Sequence, residues 1–310
     1  MPDRPPDAAH AATVSAPMAA LAKGRVSRIL GWSAVLASAW VVLIQVWAPA
    51  ITQPQNQFVG NVTEAERFVY GTGDVPAIVV GSSMVESIDV LTSGRLQVLG
   101  MNGMSAREAL LILLRSGRSP RQVAVELNGL TAPPNDAFVD RVFNPFWMPI
   151  RRNVLALRTE YQPASVIMSL AKTYLGRGAT RTGEPAATET VADIRIAQLR
   201  DLYKQPPDMA RLRESLVVVR DAVAALERSG VRVTFFEYPV PHGLSKTPFH
   251  EARRAASTEI LGEKAATALR FQDDEFRTRD GIHLDHVGHE AVTRALETAL
   301  LGSSADGVRE

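Results

Sequence analysis

The sequence contains no cysteine, carries almost no net charge and shows no internal repeat. The absence of cysteine from 310 residues excludes disulfide bonds and thiolate metal sites, and it suits an oxidising compartment. The formal net charge of +1 gives no indication of a nucleic-acid partner. With 46% hydrophobic and 22% charged residues, the chain is long enough for one domain of about 230 residues with additional segments.

A long uncharged segment lies near the N-terminus. Residues 29–51 contain no Asp, Glu, Lys or Arg, and as a helix they would span about 34 Å, enough for a bilayer core. Basic residues flank only the N-terminal side of this segment. The positive-inside rule therefore places residues 1–28 in the cytoplasm, as a mobile tail, and the rest of the chain outside it. Two alternatives stay open: a signal peptide cleaved near residues 48–50, and a buried helix of a soluble protein.

Alternating apolar runs and helical patterns fill most of the remaining chain. Residues 52–74 are predicted to form a linker with a short helix capped by Thr63, and residues 302–310 a C-terminal tail. The domain between them has predicted strands at 77–80, 96–99, 123–127, 231–238 and 268–271, and helices at 105–115, 209–229 and 286–300. This alternation predicts an α/β domain at 75–301, with a parallel sheet of about five strands in a flavodoxin-like three-layer arrangement.

Residues 130–190 break this alternation, and we call them the insertion. They contain the aromatic, proline-interrupted stretch FNPFWMPI and an apparent exposed loop at 177–189. One interpretation is a surface segment that packs its aromatic side chains on the domain. The other is a lid or a membrane-facing surface near a functional site.

A carboxylate and an imidazole lie three residues apart shortly before the last predicted helix. Asp280 and His283 are separated by the turn-forming Gly281, so the carboxylate is able to accept the Nδ1 proton and leave Nε2 to act as a base. A base requires a nucleophile. The best candidate is the serine pair Ser82-Ser83, which follows Gly81 at the end of the first apolar run.

These two stretches together resemble the SGNH, or GDSL-like, hydrolase superfamily. In that family an aspartate and a serine follow a glycine after the first strand, and a D-x-x-H block precedes the last helix. Here the first block reads Gly-Ser-Ser, so Ser82 replaces the aspartate and Ser83 takes the nucleophile position. The D-x-x-H block matches as Asp280 and His283. The resemblance implies Ser83, His283 and Asp280 as nucleophile, base and orienting acid.

The tetrahedral intermediate of acyl transfer also needs an oxyanion hole. The Ser83 backbone N–H is one donor, and the resemblance implies a second from the turn glycine of the next block, which maps to Gly103. The third family donor is an asparagine after strand three. Asn128 is the nearest candidate, although an ungapped alignment puts the family position near Leu130, and a turn residue before Gly129 is the alternative role.

Three other histidines are candidates for binding a metal or a substrate. His286 and His289 lie one helical turn apart near Asp285, which permits a metal site, but His283 would have to leave Asp280 to join it. A polar helix face is the simpler interpretation, so we predict no metal or other cofactor. His242, in the loop after strand four, is a candidate for substrate contact.

The sequence thus predicts a bacterial single-pass inner-membrane protein whose domain faces the periplasm. The resemblance implies a serine esterase or O-acyltransferase that acts on acyl esters, especially acetyl groups, of an acylated carbohydrate such as a cell-surface or secreted polysaccharide. Whether water or a sugar hydroxyl accepts the acyl group stays open. A second hypothesis is a non-catalytic accessory or binding protein of a polysaccharide biosynthesis or export system.

Overall fold

The first element of the structure is a long apolar helix. The computed structural model describes residues 15–49, 54–73, 76–86, 88, 96–174, 189–241, 243–271 and 276–302. Helix α1 is Ser15–Trp47, and its segment Arg25–Trp47 is long and apolar enough to cross a membrane. The part of the predicted tail from Ser15 onward is therefore helical. The helix also ends before the predicted residue 51: a residue preceding a proline is disfavoured in the α-conformation, and Ala48, before Pro49, has φ 39°.

The predicted linker contains a helix that belongs to the folded domain. Helix α2 is Gln57–Tyr70, and it begins six residues before the predicted cap Thr63 because the side chain of Asn56 accepts a hydrogen bond from the Val59 N–H. Its apolar face, including Phe68 and Val69, is buried in the main hydrophobic core. The prediction of a linker is therefore wrong for this part of the chain.

A five-stranded parallel sheet forms the centre of the domain. Its strands are β1 Ala77–Ser82, β2 Leu96–Met101, β3 Gln122–Glu126, β4 Arg232–Glu237 and β5 Leu269–Arg270. The spatial order is β2-β1-β3-β4-β5, and every neighbouring pair is parallel. The predicted strands are thus confirmed, with shifted ends. The remaining helices that the structure describes are α3 Ser83–Glu86, α4 Ala106–Ser116, α5 Asp136–Val142, α6 Trp147–Asn153, α7 Pro163–Tyr174, α8 Glu189–Leu202, α9 Met209–Arg228, α10 Pro248–Leu261, α11 Glu263–Ala266 and α12 His286–Leu301.

Both faces of the sheet are buried. Ile78 and Val80 of β1 join one hydrophobic cluster with residues of α2, α4 and α9. Ala77 and Val79 join the opposite cluster with Leu296 of α12. Successive side chains of a strand point to opposite faces, so a strand covered on both sides must be apolar throughout. This explains why the strands appear in the sequence as continuous apolar runs.

The insertion packs on both the domain and α1, and its Phe138 and Phe143 join the main hydrophobic core, as the first interpretation predicts. It contains α5, α6 and α7, short 3₁₀ turns at Leu155–Leu157 and Thr159–Tyr161, and the start of α8. The Trp40 indole N–H donates to the Tyr161 carbonyl at 3.0 Å, and Ile44 is fully buried against Ala156 and Val166. The predicted exposed loop lies almost entirely at residues 175–188, outside the described residues.

Candidate functional site

The candidate acid–base pair lies in a closed turn just before α12. The Asp280 Oδ2 atom lies 2.8 Å from His283 Nδ1, and Oδ1 accepts hydrogen bonds from the backbone N–H groups of Ile282 and His283. Gly281 has a φ of 86°, a conformation that favours glycine. An antiparallel bridge between Thr278 and Leu284 closes the turn. The two side chains predicted to act together are therefore in contact.

The electrostatics of the turn keep Asp280 ionised. Burial alone would raise the pKa of Asp280, but hydrogen bonds from the His283 ring and from two backbone N–H groups outweigh burial and lower the pKa to about 2. An ionised carboxylate at Oδ2 makes Nδ1 the protonated ring nitrogen of a neutral His283. The lone pair is then on Nε2, which is the arrangement that a general base requires.

The start of α12 is attached to the end of β4. The side chain of Asp285 caps the helix by accepting from the Gly288 N–H, and His289 Nδ1 lies 2.6 Å from the Tyr238 hydroxyl. Burial, with the nearby His283 and Arg279, lowers the pKa of His289 to about 4, so this ring is neutral near neutral pH. His286 is exposed. His289 thus serves as a half-buried polar contact that holds the Asp280–His283 turn next to β4.

The two adjacent serines have different environments. Ser82 is the last residue of β1 and is buried, whereas Ser83 begins α3 and is half-buried. The Ser82 N–H and hydroxyl both donate to the Glu126 carboxyl, at 2.6 and 3.1 Å, and the Ser82 hydroxyl accepts from the Met84 N–H. The Ser82 hydroxyl is therefore engaged in supporting the turn. That role agrees with the assignment of Ser83 as the candidate nucleophile, which stays a prediction.

Glu126 is the residue of this region that sequence reasoning missed. It ends β3 and is fully buried, and a carboxyl group there must find hydrogen-bond partners inside the protein. Burial raises the pKa of Glu126, opposed in part by the hydrogen bonds from Ser82 and by the Arg253 guanidinium. The signal was present in the sequence as a charged residue at the end of the apolar run VAVE. Ser82 stands where the resembled family has an aspartate, and the carboxyl group of Glu126 lies directly against it.

Two glycines allow this close packing. A Cβ atom on Gly81 would lie 2.3 Å from Glu126 Oε2, and one on Gly129 would lie 2.8 Å from the Ser82 Cβ. Neither distance is sterically possible, so a side chain at either position would push β1 and β3 apart at their ends. The Gly129 position also lies near the Met104 carbonyl, which follows β2. The ends of β1, β2 and β3 therefore meet beside Ser82.

The two other predicted oxyanion-hole residues lie at the same edge of the sheet. Gly103 follows β2, is exposed and has a φ of 67°, and the Gln57 side-chain amide packs against it. The Asn128 side chain follows β3, and its amide exchanges two hydrogen bonds with the backbone of Tyr238, at 2.9 and 2.7 Å. Asn128 thus joins the ends of β3 and β4, and its role as an oxyanion donor stays a prediction.

A chain of contacts connects the serine turn to the Asp280–His283 turn. Ser82 packs against Gly129, the neighbouring Asn128 pairs with the backbone of Tyr238, and the Tyr238 hydroxyl meets His289 in the first turns of α12. Parallel strands present their carboxyl ends at one edge, where sites of such sheets form. The predicted substrate contact His242 lies outside the described residues.

No family model, curated protein or solved structure matches this chain. The resemblance to SGNH hydrolases therefore rests on the blocks around Ser83 and His283 themselves. Chemically, the two blocks supply a serine at a strand end and an imidazole whose Nδ1 lies against a carboxylate. Such a set is able to activate a hydroxyl for attack on a carbonyl carbon.

The buried Glu126 gives a pH-dependent stability that can be measured. The pKa of Glu126 is raised in the folded state. Its contribution to the free energy of unfolding is therefore fully present below the pKa of the unfolded chain, about 4.5, and is lost as pH rises through the pKa of the folded state. Glu126→Gln removes the titration. We expect the melting temperature of wild type, relative to this variant, to fall as pH is raised from about 4.5 to 8.

Thermal unfolding of the detergent-solubilised full chain measures this difference, and Glu290→Gln, on the exposed side of α12, controls for the substitution itself. If the melting temperature of wild type instead rises relative to that of Glu126→Gln as pH increases, the native state prefers the ionised carboxylate of Glu126.

Proposed function

We propose that this protein is a membrane-anchored serine esterase or O-acyltransferase. The observation that carries the proposal is the Asp280–His283 pair, held at 2.8 Å in a closed turn whose following helix contacts Tyr238, at the edge of the sheet where β1 ends before Ser83. In the proposed reaction the Ser83 Oγ attacks an ester carbonyl, and His283 Nε2 takes the hydroxyl proton. The intermediate collapses to an acyl-serine and expels the alcohol, to which His283 returns the proton.

The second half of the reaction uses the same groups. His283 removes a proton from water or from a sugar hydroxyl, whose oxygen attacks the acyl-serine and releases Ser83. Asp280 holds the ring and offsets the positive charge that develops on it in both halves. The Ser83 N–H and the turn at Gly103 are the proposed donors to the oxyanion, with Asn128 as a third candidate.

The proposed substrate is an acyl ester, most simply an acetyl ester, of a cell-surface or secreted polysaccharide. This class follows from the resemblance of the Gly-Ser-Ser and D-x-x-H blocks to the family. A fluorophosphonate probe tests the catalytic part, because only an activated serine reacts with it. Labelling of the intact full-length protein is the expected result, and unfolded protein is the control.

The second candidate is a non-catalytic accessory protein of a polysaccharide biosynthesis or export system. One observation favours it: the Asn128 amide, the candidate third oxyanion donor, is already paired with the Tyr238 backbone. A folded protein that fails to react with the fluorophosphonate would select this function.

The proposal includes the architecture and the location of the domain. The strand order β2-β1-β3-β4-β5, with hydrophobic clusters on both faces, supports a flavodoxin-like three-layer domain. The uncharged length of α1 and the basic residues on its N-terminal side support an uncleaved anchor in a bacterial inner membrane, with the domain in the periplasm.

The proposed orientation makes a direct prediction for reporter fusions. A reporter fused after Glu310 should be active only if it is of the kind that works in the periplasm, because the proposed span in α1 places the chain that follows it there. The matched control carries the same reporter fused before residue 29. Activity of only a cytoplasmic reporter after Glu310 would reject the orientation.

A further inference from the structure

A groove lies between α1 and the insertion. It encloses about 620 Å³, within the range of sites that hold a small molecule. One wall is the side of α1 that carries Leu36 and Trp40. The opposite wall belongs to the insertion and includes Trp147, Arg151, Ala156 and Gln162. The lining is therefore mostly apolar, with one guanidinium and one amide.

The position of this groove along α1 determines how far it lies below the outer boundary of the membrane. The insertion contacts α1 from Trp40 to Gln45, and the groove extends along α1 to Leu36. If the insertion lay wholly outside the bilayer, only residues 25–39 would remain to cross it, or about 22 Å of helix against a hydrocarbon core of about 30 Å. With Trp47 at the outer boundary, Trp40 lies about 10 Å and Leu36 about 16 Å deeper along the helix. The groove is therefore inside the outer half of the membrane if α1 spans it.

The insertion has the surface that such a position requires. Large apolar side chains are exposed on it, and they are Phe146, Trp147, Leu157, Ile167 and Met168. Arg151 lines the groove with its guanidinium bonded to the buried Glu66 at 2.9 Å, and Arg152, next to it, is exposed. Apolar residues, Trp147 and arginines together are typical of segments that lie at the boundary between acyl chains and phosphate headgroups.

We propose that the groove between α1 and the insertion binds one acyl chain of a phospholipid. The inference rests on the proposed membrane anchoring of α1 and not on the proposed chemistry. One wall of the groove belongs to the membrane-spanning segment, so the molecules that surround it are lipids. A water-soluble peptide has no route to this depth.

The test uses full-length protein in nanodiscs that contain a phospholipid with a photoreactive diazirine on its acyl chain. Adducts are mapped by mass spectrometry after irradiation. In wild type we expect adducts on both walls of the groove, on α1 around residues 36–41 and on the insertion at residues 156–163.

Two matched substitutions locate the bound chain. Ala37→Trp fills the groove from the α1 side. Ala39→Trp adds the same side chain about 200° around the helix, because each residue turns it by about 100°. We expect Ala37→Trp to lower the adducts at residues 156–163 several-fold and Ala39→Trp to leave them unchanged.

Two results would overturn the inference. One rejects only the binding of lipid in the groove, and the other also rejects the membrane anchor. Adducts on α1 without adducts at residues 156–163 would show an anchor whose groove holds no lipid chain. The absence of adducts throughout α1 would reject the membrane anchor as well. The wild-type map decides between these results even if a variant fails to fold, and the fluorophosphonate reaction tests the esterase chemistry separately.

Discussion

Ser83→Ala is expected to abolish covalent labelling by a fluorophosphonate and to lower esterase activity by about 10⁶-fold, the size of loss found when a triad serine is removed. Ser83 follows the buried Ser82 at the start of α3 and is half-buried, at the same edge of the sheet as Gly103. The Ser82 hydroxyl donates to Glu126, so Ser83 carries the hydroxyl of this turn that we propose as the nucleophile. The measurement is labelling of full-length protein followed by peptide mapping.

Ser82→Ala is the matched control for this experiment. It removes the hydroxyl that contacts Glu126 and accepts from the Met84 N–H, so we expect a lower melting temperature and slower labelling, with the label still on Ser83. A label on Ser82 in the intact wild-type protein would show that the assignment is wrong by one residue. Folded wild-type protein without any label would favour the non-catalytic function.

The second large effect concerns the acid–base pair. His283→Ala should abolish activity on a short acyl ester, because it removes the only proposed proton acceptor. Asp280→Asn should lower activity by about 10⁴-fold, since an amide in place of the carboxylate favours the wrong tautomer of His283. Initial rates of the purified full-length variants measure both losses.

The low pKa of Asp280 keeps its carboxyl group ionised over the pH range in which activity is measured. A carboxyl group with a depressed pKa contributes its effect above its unfolded value and loses it only as pH falls through the folded value, here about 2. Asp280 is therefore expected to stay ionised between about pH 4 and 8, so its own carboxyl group should contribute no pH dependence to wild-type activity in that range.

Asp285→Asn is the matched control for Asp280→Asn. Asparagine also caps helices, so the start of α12 and the activity should both be preserved. Chelators should have no effect on wild type. Activity that disappears on chelation and returns with zinc would instead support a metal site that includes His283.

Local patterns explain how much of the fold could be predicted from the sequence. The strands and α12 are short apolar or amphipathic segments whose signals lie within the segment itself, and they were located to within a few residues. The start of α2 was wrong because Thr63 and Asn56 are both suitable caps, and only packing in the domain core decides between them. The end of α1 could have been predicted from Pro49, because a proline disfavours the α-conformation of the residue before it, here Ala48.

Contacts between distant residues explain what the sequence could not show. Asp280 and His283 are three positions apart, so their pairing could be anticipated from the turn. Glu126 meets Ser82 across 44 positions, and Trp40 meets Tyr161 across 121. Nothing in a single sequence specifies such partners, and the role of Glu126 and the packing of the insertion on α1 therefore emerged only from the structure.

The contact between Ser82 and Glu126 restricts the order in which this turn can evolve. Replacing Ser82 with the aspartate of the resembled family would put a second carboxyl group against Glu126 in a buried space, where two ionised carboxylates repel each other. If an ancestor had aspartate at this position, the change to serine came before, or together with, the appearance of glutamate at 126. The two positions are therefore expected to covary among relatives of this protein, and the double replacement Ser82→Asp with Glu126→Ala should be better tolerated than Ser82→Asp alone.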